Sequence, residues 1–212
     1  MTIGIQSGTL VLDFDGVVFR NEKANALVNY KSIKFVSKKM NTSYNYAFQV
    51  HKQNFKKSGH TVHMLNKLGY ATDLDEYNTH VFNNDLWKEL KTCMHYTDTQ
   101  NIKTIIDTNE KLEKKSVLFS NAPESWCENV LHLNGYSIED LFEDTYTCTN
   151  LDELKPNVTV YNKIESKYDK LYFIDDTEIN LLFLSEKWNT YLLGKNDKLQ
   201  ETLKLVVHDM FL

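Results

Sequence analysis

Proline is almost missing from this chain, with two among 212 residues, and glycine is sparse at seven. Such a shortage excludes collagen-like repeats and the Pro/Gly-rich low-complexity class. Cysteine is scarce as well: Cys93, Cys127 and Cys148 are odd in number, far apart, and form no pair at metal-ligand spacing. They are expected to be reduced thiols, with neither a disulfide framework nor a zinc site. No run of about 18 uncharged apolar residues occurs, and the segment Met1–Leu10 carries no basic cluster before Asp13 and Asp15 interrupt the apolar stretch. Neither a signal peptide nor a membrane span is expected, so an intracellular, soluble protein is. Positive charge is not concentrated either. The net charge is −5, and the 24 basic residues fall in short groups such as Lys38-Lys39 and Lys114-Lys115, which argues against a nucleic-acid polymer as partner.

What is present is an ordinary globular balance, 42% hydrophobic and 25% charged, enough to bury one core and a smaller module. Four short apolar runs each end in a polar cluster: Thr9–Leu12 before Asp13, Ser116–Phe119 before Ser120-Asn121, Leu171–Ile174 before Asp175-Asp176, and Thr190–Leu193 before Gly194. Runs of this length without alternation predict strands covered on both faces. Between them the period turns helical. Trp126, Val130 and Leu133 follow Pro123; Val158, Tyr161, Ile164 and Tyr168 follow Pro156; and Ile179, Leu182 and Phe183 follow the acidic pair. Strand alternating with helix predicts an α/β fold, a doubly wound parallel sheet.

The stretch from Phe19 to Asp98 is different. It shows a helical stripe (Ala26, Tyr30, Ile33, Val36, Met40) and no buried strand, and it is too long for a simple crossover. It is expected to be an inserted helical cap over 19–98, with the α/β core formed by 1–18 and 99–212. The stripe is expected to be packing surface, as are Trp87, Trp126 and Trp188. His60 and His63, at i, i+3, are expected to be surface or cap residues.

In an open α/β sheet ligands bind beyond the carboxyl ends of the strands. That rule selects Asp13 and Asp15, then Ser120 and Asn121, then Asp175 and Asp176, with Lys155 preceding a helix. Four carboxylates converging on one crevice repel one another unless a cation neutralises them. A hard divalent ion with oxygen ligands, Mg2+, suits that need and leaves room for a phosphate oxygen. Asp13 would then be the nucleophile. Asp15, on the same face if strand geometry persists, would protonate the leaving oxygen and later deprotonate water. Ser120 and Asn121, near a helix start, are placed to bind phosphate, and Lys155 to offset its charge.

Asp13-Phe14-Asp15-Gly16, Phe119-Ser120-Asn121-Ala122, Lys155-Pro156 and Phe173-Ile174-Asp175-Asp176 resemble, in order, the four motifs of the haloacid-dehalogenase-like hydrolases. The resemblance covers the sheet half of the chain. It implies a phosphohydrolase with Asp13 as nucleophile, Asp15 as general acid/base, Ser120 and Lys155 as phosphate stabilisers, and Mg2+ held by Asp13, the backbone carbonyl of Asp15, Asp176 and, through water, Asp175. Asn180 falls where some members carry a further acid, and a supporting role is expected. Val17 stands where many members have Thr. Dehalogenation is disfavoured, because the family's dehalogenases lack the acid that this chain has at Asp15.

Within the insert, the segment from Phe55 to Thr61, then Leu68-Gly69-Tyr70 and Asp75-Glu76-Tyr77, resembles the cap of the pyrimidine 5'-nucleotidase branch. That implies a nucleoside monophosphate as the small phosphomonoester, with Arg20, Phe55 and His60 as substrate contacts. A sugar-phosphate phosphatase or phosphomutase is the alternative within the enzymes. A catalytically silent binding module on the same fold is the alternative outside them.

Overall fold

The structure is a computed structural model that describes residues 8–92, 96–182 and 184–211, with side chains in the second span from 99 onward. Cys93, Phe183 and the side chain of Asp98 lie outside the described residues. The described residues fall into two compact units, those within 1–20 together with those within 96–212, and those within 21–95.

The first unit is built on a sheet of five parallel strands: β1 Thr9–Leu12, β2 Ser116–Phe119, β3 Phe142–Tyr146, β4 Leu171–Asp175 and β5 Trp188–Leu192. Their spatial order is β3-β2-β1-β4-β5. Every residue of β1, β2 and β4 is buried, the physical reason these segments read as unbroken apolar runs. The edge strands behave otherwise. In β3 only Phe142 is buried, so its sequence Phe-Glu-Asp-Thr-Tyr carries little apolar signal and the strand is not visible in the hydrophobic pattern. The last strand starts at Trp188, two residues before the expected Thr190, and after the buried Trp188 it alternates half-buried and exposed positions.

Pairing of Leu12 with Leu118 on one side and with Ile174 on the other brings the residues that follow each strand to one end of the sheet. The chain goes from β1 outward to β3, then returns to β4 on the other side of β1. Strand order therefore switches between β1 and β4, where such sheets open a crevice.

The inserted unit is helical: α1 Glu22–Lys39, α2 Tyr44–Ser58, α3 Thr61–Lys67, α4 Leu74–Val81 and α5 Asn84–Leu90. Side chains of Asn21, Ser43, His60, Asp73 and Asn83 accept the first backbone N–H groups of these helices, each cap contributing about 1 kcal/mol. The buried face of α1 is Ala24, Ser32, Ile33, Phe35 and Val36, and each large apolar side chain there contributes about 1.5–3 kcal/mol. The expected stripe is thus half right: Ile33 and Val36 pack, whereas Ala26 and Tyr30 are exposed. Phe35 takes the core position, with its ring edge on Tyr77 at 5.4 Å. His60, expected at the surface or in the cap, is buried against the same Tyr77 ring at 5.1 Å.

Flanking the sheet are α6 Tyr96–Leu112, α7 Glu124–Leu133, α8 Ile138–Leu141, α9 Val158–Glu165 and α10 Leu199–Met210. Pro123 sits at the N-cap of α7, and Asn157 caps α9 by accepting the Thr159 N–H at 3.1 Å. The helix expected after Asp176 is only a single tight turn, Glu178–Leu181. Leu182 is exposed, the buried residue of the turn is the polar Asn180, and Leu181 is only partly buried against the core. No helix among the described residues is long and apolar enough to cross a membrane.

Candidate active site

After β1 the chain turns back on itself. The Phe19 N–H donates to Phe14 O, and the Gly16 N–H to Phe19 O, both at 2.9 Å. Phe14, Val17, Val18 and Phe19 are all buried, so the loop is anchored by apolar side chains. Gly16 has φ +86°, and a Cβ there would collide with the Asp176 carboxylate. Asp15 therefore owes its place to this turn rather than to strand alternation, since β1 has ended at Leu12.

At the crevice stands a buried ammonium. Lys155, 1% exposed, places Nζ 3.0 Å from Asp13 Oδ1 and 2.6 Å from Asp175 Oδ2, and donates to Phe119 O at 2.9 Å. The ends of β1, β2 and β4 thus meet on one cation. Burial opposes its charge, but Asp13 and Asp175 outweigh that and raise its pKa. The rings of Phe119 and Phe173, 5.0 and 5.2 Å away, add cation–π attraction.

Asp175 has both oxygens engaged by protein donors. Its Oδ1 accepts the Thr177 N–H at 2.7 Å, and the Asn180 amide donates to both oxygens at 3.2 and 3.1 Å. Asn180 is 4% exposed, its backbone carbonyl accepts the Tyr161 hydroxyl at 2.8 Å, and its own Oδ1 is buried without a partner among the described residues. It supports the site by holding Asp175 against Lys155.

Asp15 is half-buried and accepts the Trp126 Nε1–H at 3.0 Å. Burial pushes its carboxyl up to about 7, with the indole bond pulling the other way. A carboxyl group poised there carries a proton near neutral pH and can exchange it. Trp126 packs as expected, but its polar edge is a contact that periodicity does not reveal.

Ser120 is buried, and its hydroxyl oxygen accepts the Ala122 N–H at 3.1 Å, which leaves the hydroxyl proton for another acceptor. Asn121 is placed otherwise than a phosphate ligand would be. Its amide donates to Lys155 O at 3.0 Å and its carbonyl accepts the Lys155 N–H at 2.8 Å, so the side chain brackets the lysine's backbone. Arg20 is similarly committed, donating to the carbonyls of Gly194, Lys195 and Asp197 at 2.5 to 2.9 Å. In the helical unit, His60 accepts the Val62 N–H at 3.2 Å, and Phe55 stacks on His51 at 4.7 Å.

Oxygens of Asp13, Asp175 and Asp176 lie within 4.8 Å of one another, the first two residues buried and the third exposed. The Asp15 carboxylate is not part of that group. Burial pushes the Asp13 carboxyl well up; Lys155 opposes this, while Asp175, Asp176 and Asp15 add to it. With Asp13, Asp175 and Asp176 ionised, the one ammonium leaves negative charge uncompensated. An all-oxygen donor set with excess charge fits a hard divalent cation, Mg2+.

No family model matches the sequence, and no curated protein matches it. Solved structures do match, and two of them serve as comparisons. One is a predicted phosphoglycolate phosphatase from Haemophilus somnus 129PT, at 17% identity and TM-score 0.55, over 94% of this chain and 98% of that one. The other is β-phosphoglucomutase from Clostridium difficile, at 12% identity and TM-score 0.58, over 96% of each chain. The likeness is one of fold. A doubly wound parallel α/β core carrying helices is shared with both.

Proposed function

We propose that the chain is a Mg2+-dependent phosphomonoester hydrolase working through an aspartyl-phosphate on Asp13. The observation that carries this reading is the Lys155 ammonium, 3.0 Å from Asp13 and 2.6 Å from Asp175, at the crevice where Asp13, Asp175 and Asp176 bring their oxygens together.

In the first step an oxygen of Asp13 bonds to phosphorus, the phosphorus–oxygen ester bond breaks, and the departing oxygen takes a proton from Asp15. In the second, water bonds to phosphorus and gives a proton to Asp15, and the bond to Asp13 breaks to restore its carboxylate. Lys155 favours the ionised form of Asp13 against the effect of burial and attracts the phosphoryl charge. The Ser120 hydroxyl donates to a phosphate oxygen. Asp13, the backbone carbonyl of Asp15, and Asp176 would hold Mg2+, with Asp175 behind them through water; the bound ion neutralises the carboxylates and the incoming phosphoryl group.

The core handles only the phosphoryl group, so the inserted helices are assigned the choice of ester. Two substrate classes stand first. Nucleoside 5'-monophosphates follow from the Phe55–Tyr77 resemblance, with Phe55 and His60 as contacts. Sugar phosphates and phosphoglycolate follow from the names of the two structural neighbours. The test is phosphate release from UMP, CMP, glucose 1-phosphate and phosphoglycolate with Mg2+, with a chelator, and by Asp13→Asn. The reading requires turnover that both the chelator and the substitution abolish. Equal, negligible release in all three would point to a binding module instead.

A further inference from the structure

We propose that Trp126 is a positioning residue for Asp15, its indole N–H fixing which carboxyl oxygen faces the leaving group. The inference rests on the phosphohydrolase reading and adds to it a residue outside the four motifs.

The donor is held from two sides. Trp126 is 0% exposed on α7, whose buried face also includes Cys127, Val130 and Leu131. The Phe19 ring meets the indole edge-on at 6.0 Å, and Phe19 lies 6.2 Å from Phe14 in the loop that carries Asp15. Backbone pairing between Asp15 and Phe19 closes that loop. The helix and the loop thus set the indole and the carboxyl against each other at 3.0 Å.

An indole N–H donates and never accepts. While it bonds to Oδ1, that oxygen is an acceptor, and the transferable proton resides on Oδ2. As the phosphorus–oxygen bond breaks, the departing oxygen takes the Oδ2 proton, and Asp15 is left a carboxylate whose Oδ1 still accepts from Trp126. Without the indole the carboxyl turns about a broad, nearly two-fold torsion, and the proton-bearing oxygen no longer has a fixed place within reach of the leaving atom.

Such a role predicts a dependence on the leaving group. An alkyl phosphate expels a strongly basic alkoxide that needs the proton, whereas p-nitrophenyl phosphate expels a stable phenolate that does not. We would measure kcat and KM on both substrates for the wild type, Trp126→Phe, Asp15→Asn and Val130→Ala. Trp126→Phe is expected to lose about ten-fold more kcat/KM, which reports the step that expels the leaving group, on the alkyl ester than on the aryl ester, a fraction of the ~10²–10⁴ from a positioned acid. The ratio of the two substrates does not depend on how much protein is folded. Val130→Ala, a core loss on the same helix, should leave that ratio as it is. Benzothienylalanine in place of Trp126 keeps the ring shape without the N–H and should show the same preferential loss on the alkyl ester, so it carries the test if Trp126→Phe does not fold. Equal losses on both esters for the two Trp126 replacements, while Asp15→Asn discriminates, would overturn the positioning role alone. If Asp15→Asn also treats both esters alike, the acid role of Asp15 falls and the positioning with it.

Discussion

The carboxylate of Asp176 occupies the space that a side chain on Gly16 would need. One residue belongs to the loop after β1 and the other to the end of β4, so the glycine sets how closely the two acidic segments approach. Its φ of +86° makes the position doubly restrictive, because a Cβ would be both strained and blocked.

Gly16→Ala should therefore damage the site more than the fold. The left-handed backbone costs about 1–2 kcal/mol, a loss the remaining core can absorb, but Asp176 has to move away from Asp13. We expect a modest fall in melting temperature, a large loss of phosphatase turnover and weaker Mg2+ binding by calorimetry. Wild-type turnover in Gly16→Ala would show that the close approach has no role.

Lys155→Met leaves Asp13 and Asp175 buried without their cation. Breaking a buried ion pair in this way costs about 3–5 kcal/mol, so the variant should melt well below the wild type and lose turnover. Lys155→Arg is not a rescue, since a planar fork does not replace a point charge between two carboxylates and the Phe119 carbonyl. Thermal melts of both variants check this; wild-type stability in Lys155→Met would contradict it.

Asn180 holds Asp175 through two amide hydrogen bonds. Asn180→Ala removes them and should cost about 1–3 kcal/mol. Asn180→Asp instead sets another carboxylate against Asp175, so its melting temperature should fall further without Mg2+ and recover more when Mg2+ is added, because a ligand of the native state stabilises it. Identical responses of the two variants to Mg2+ would show that charge at 180 does not matter.

The parts of the fold that announced themselves are those with simple surroundings. β1, β2 and β4 are buried along their whole length and so read as apolar runs, and the polar residues at their ends fall where the sheet opens. Residues with mixed surroundings did not. β3 lies at an edge with one residue exposed and three only partly buried, and its polar sequence hides it. Arg20 and Asn121 sit beside the motifs, and their side chains are taken up by backbone partners from residues 194–197 and 155, contacts that no spacing predicts. Trp126 shows the same limit from the other side. Helical period places its ring in the core, but the bond to a carboxylate 111 residues away exists only once the sheet is assembled.

The helical unit should carry its own acid sensitivity. Burial lowers His60 to about 3, with His63 and His51 adding to the effect, and burial lowers His51 to about 4. Both are neutral in the folded chain at pH 6, whereas in the unfolded chain they titrate near 6.5. Below that value the unfolded state takes up protons that the folded state refuses, so stability falls with falling pH. The loss begins near pH 6.5 and continues until the folded-state values are reached, at up to about 1.4 kcal/mol per pH unit for each histidine. His60→Asn keeps an acceptor for the Val62 N–H and removes the titration. Urea denaturation of wild type and variant at pH 8 should give similar midpoints, and at pH 5 the variant should be the more resistant. Groups elsewhere in the chain, including the raised carboxyls of Asp13 and Asp15, contribute equally to both proteins and cancel in the difference. A variant that loses stability toward acid as steeply as the wild type would show that His60 is not shielded from protons in the folded unit.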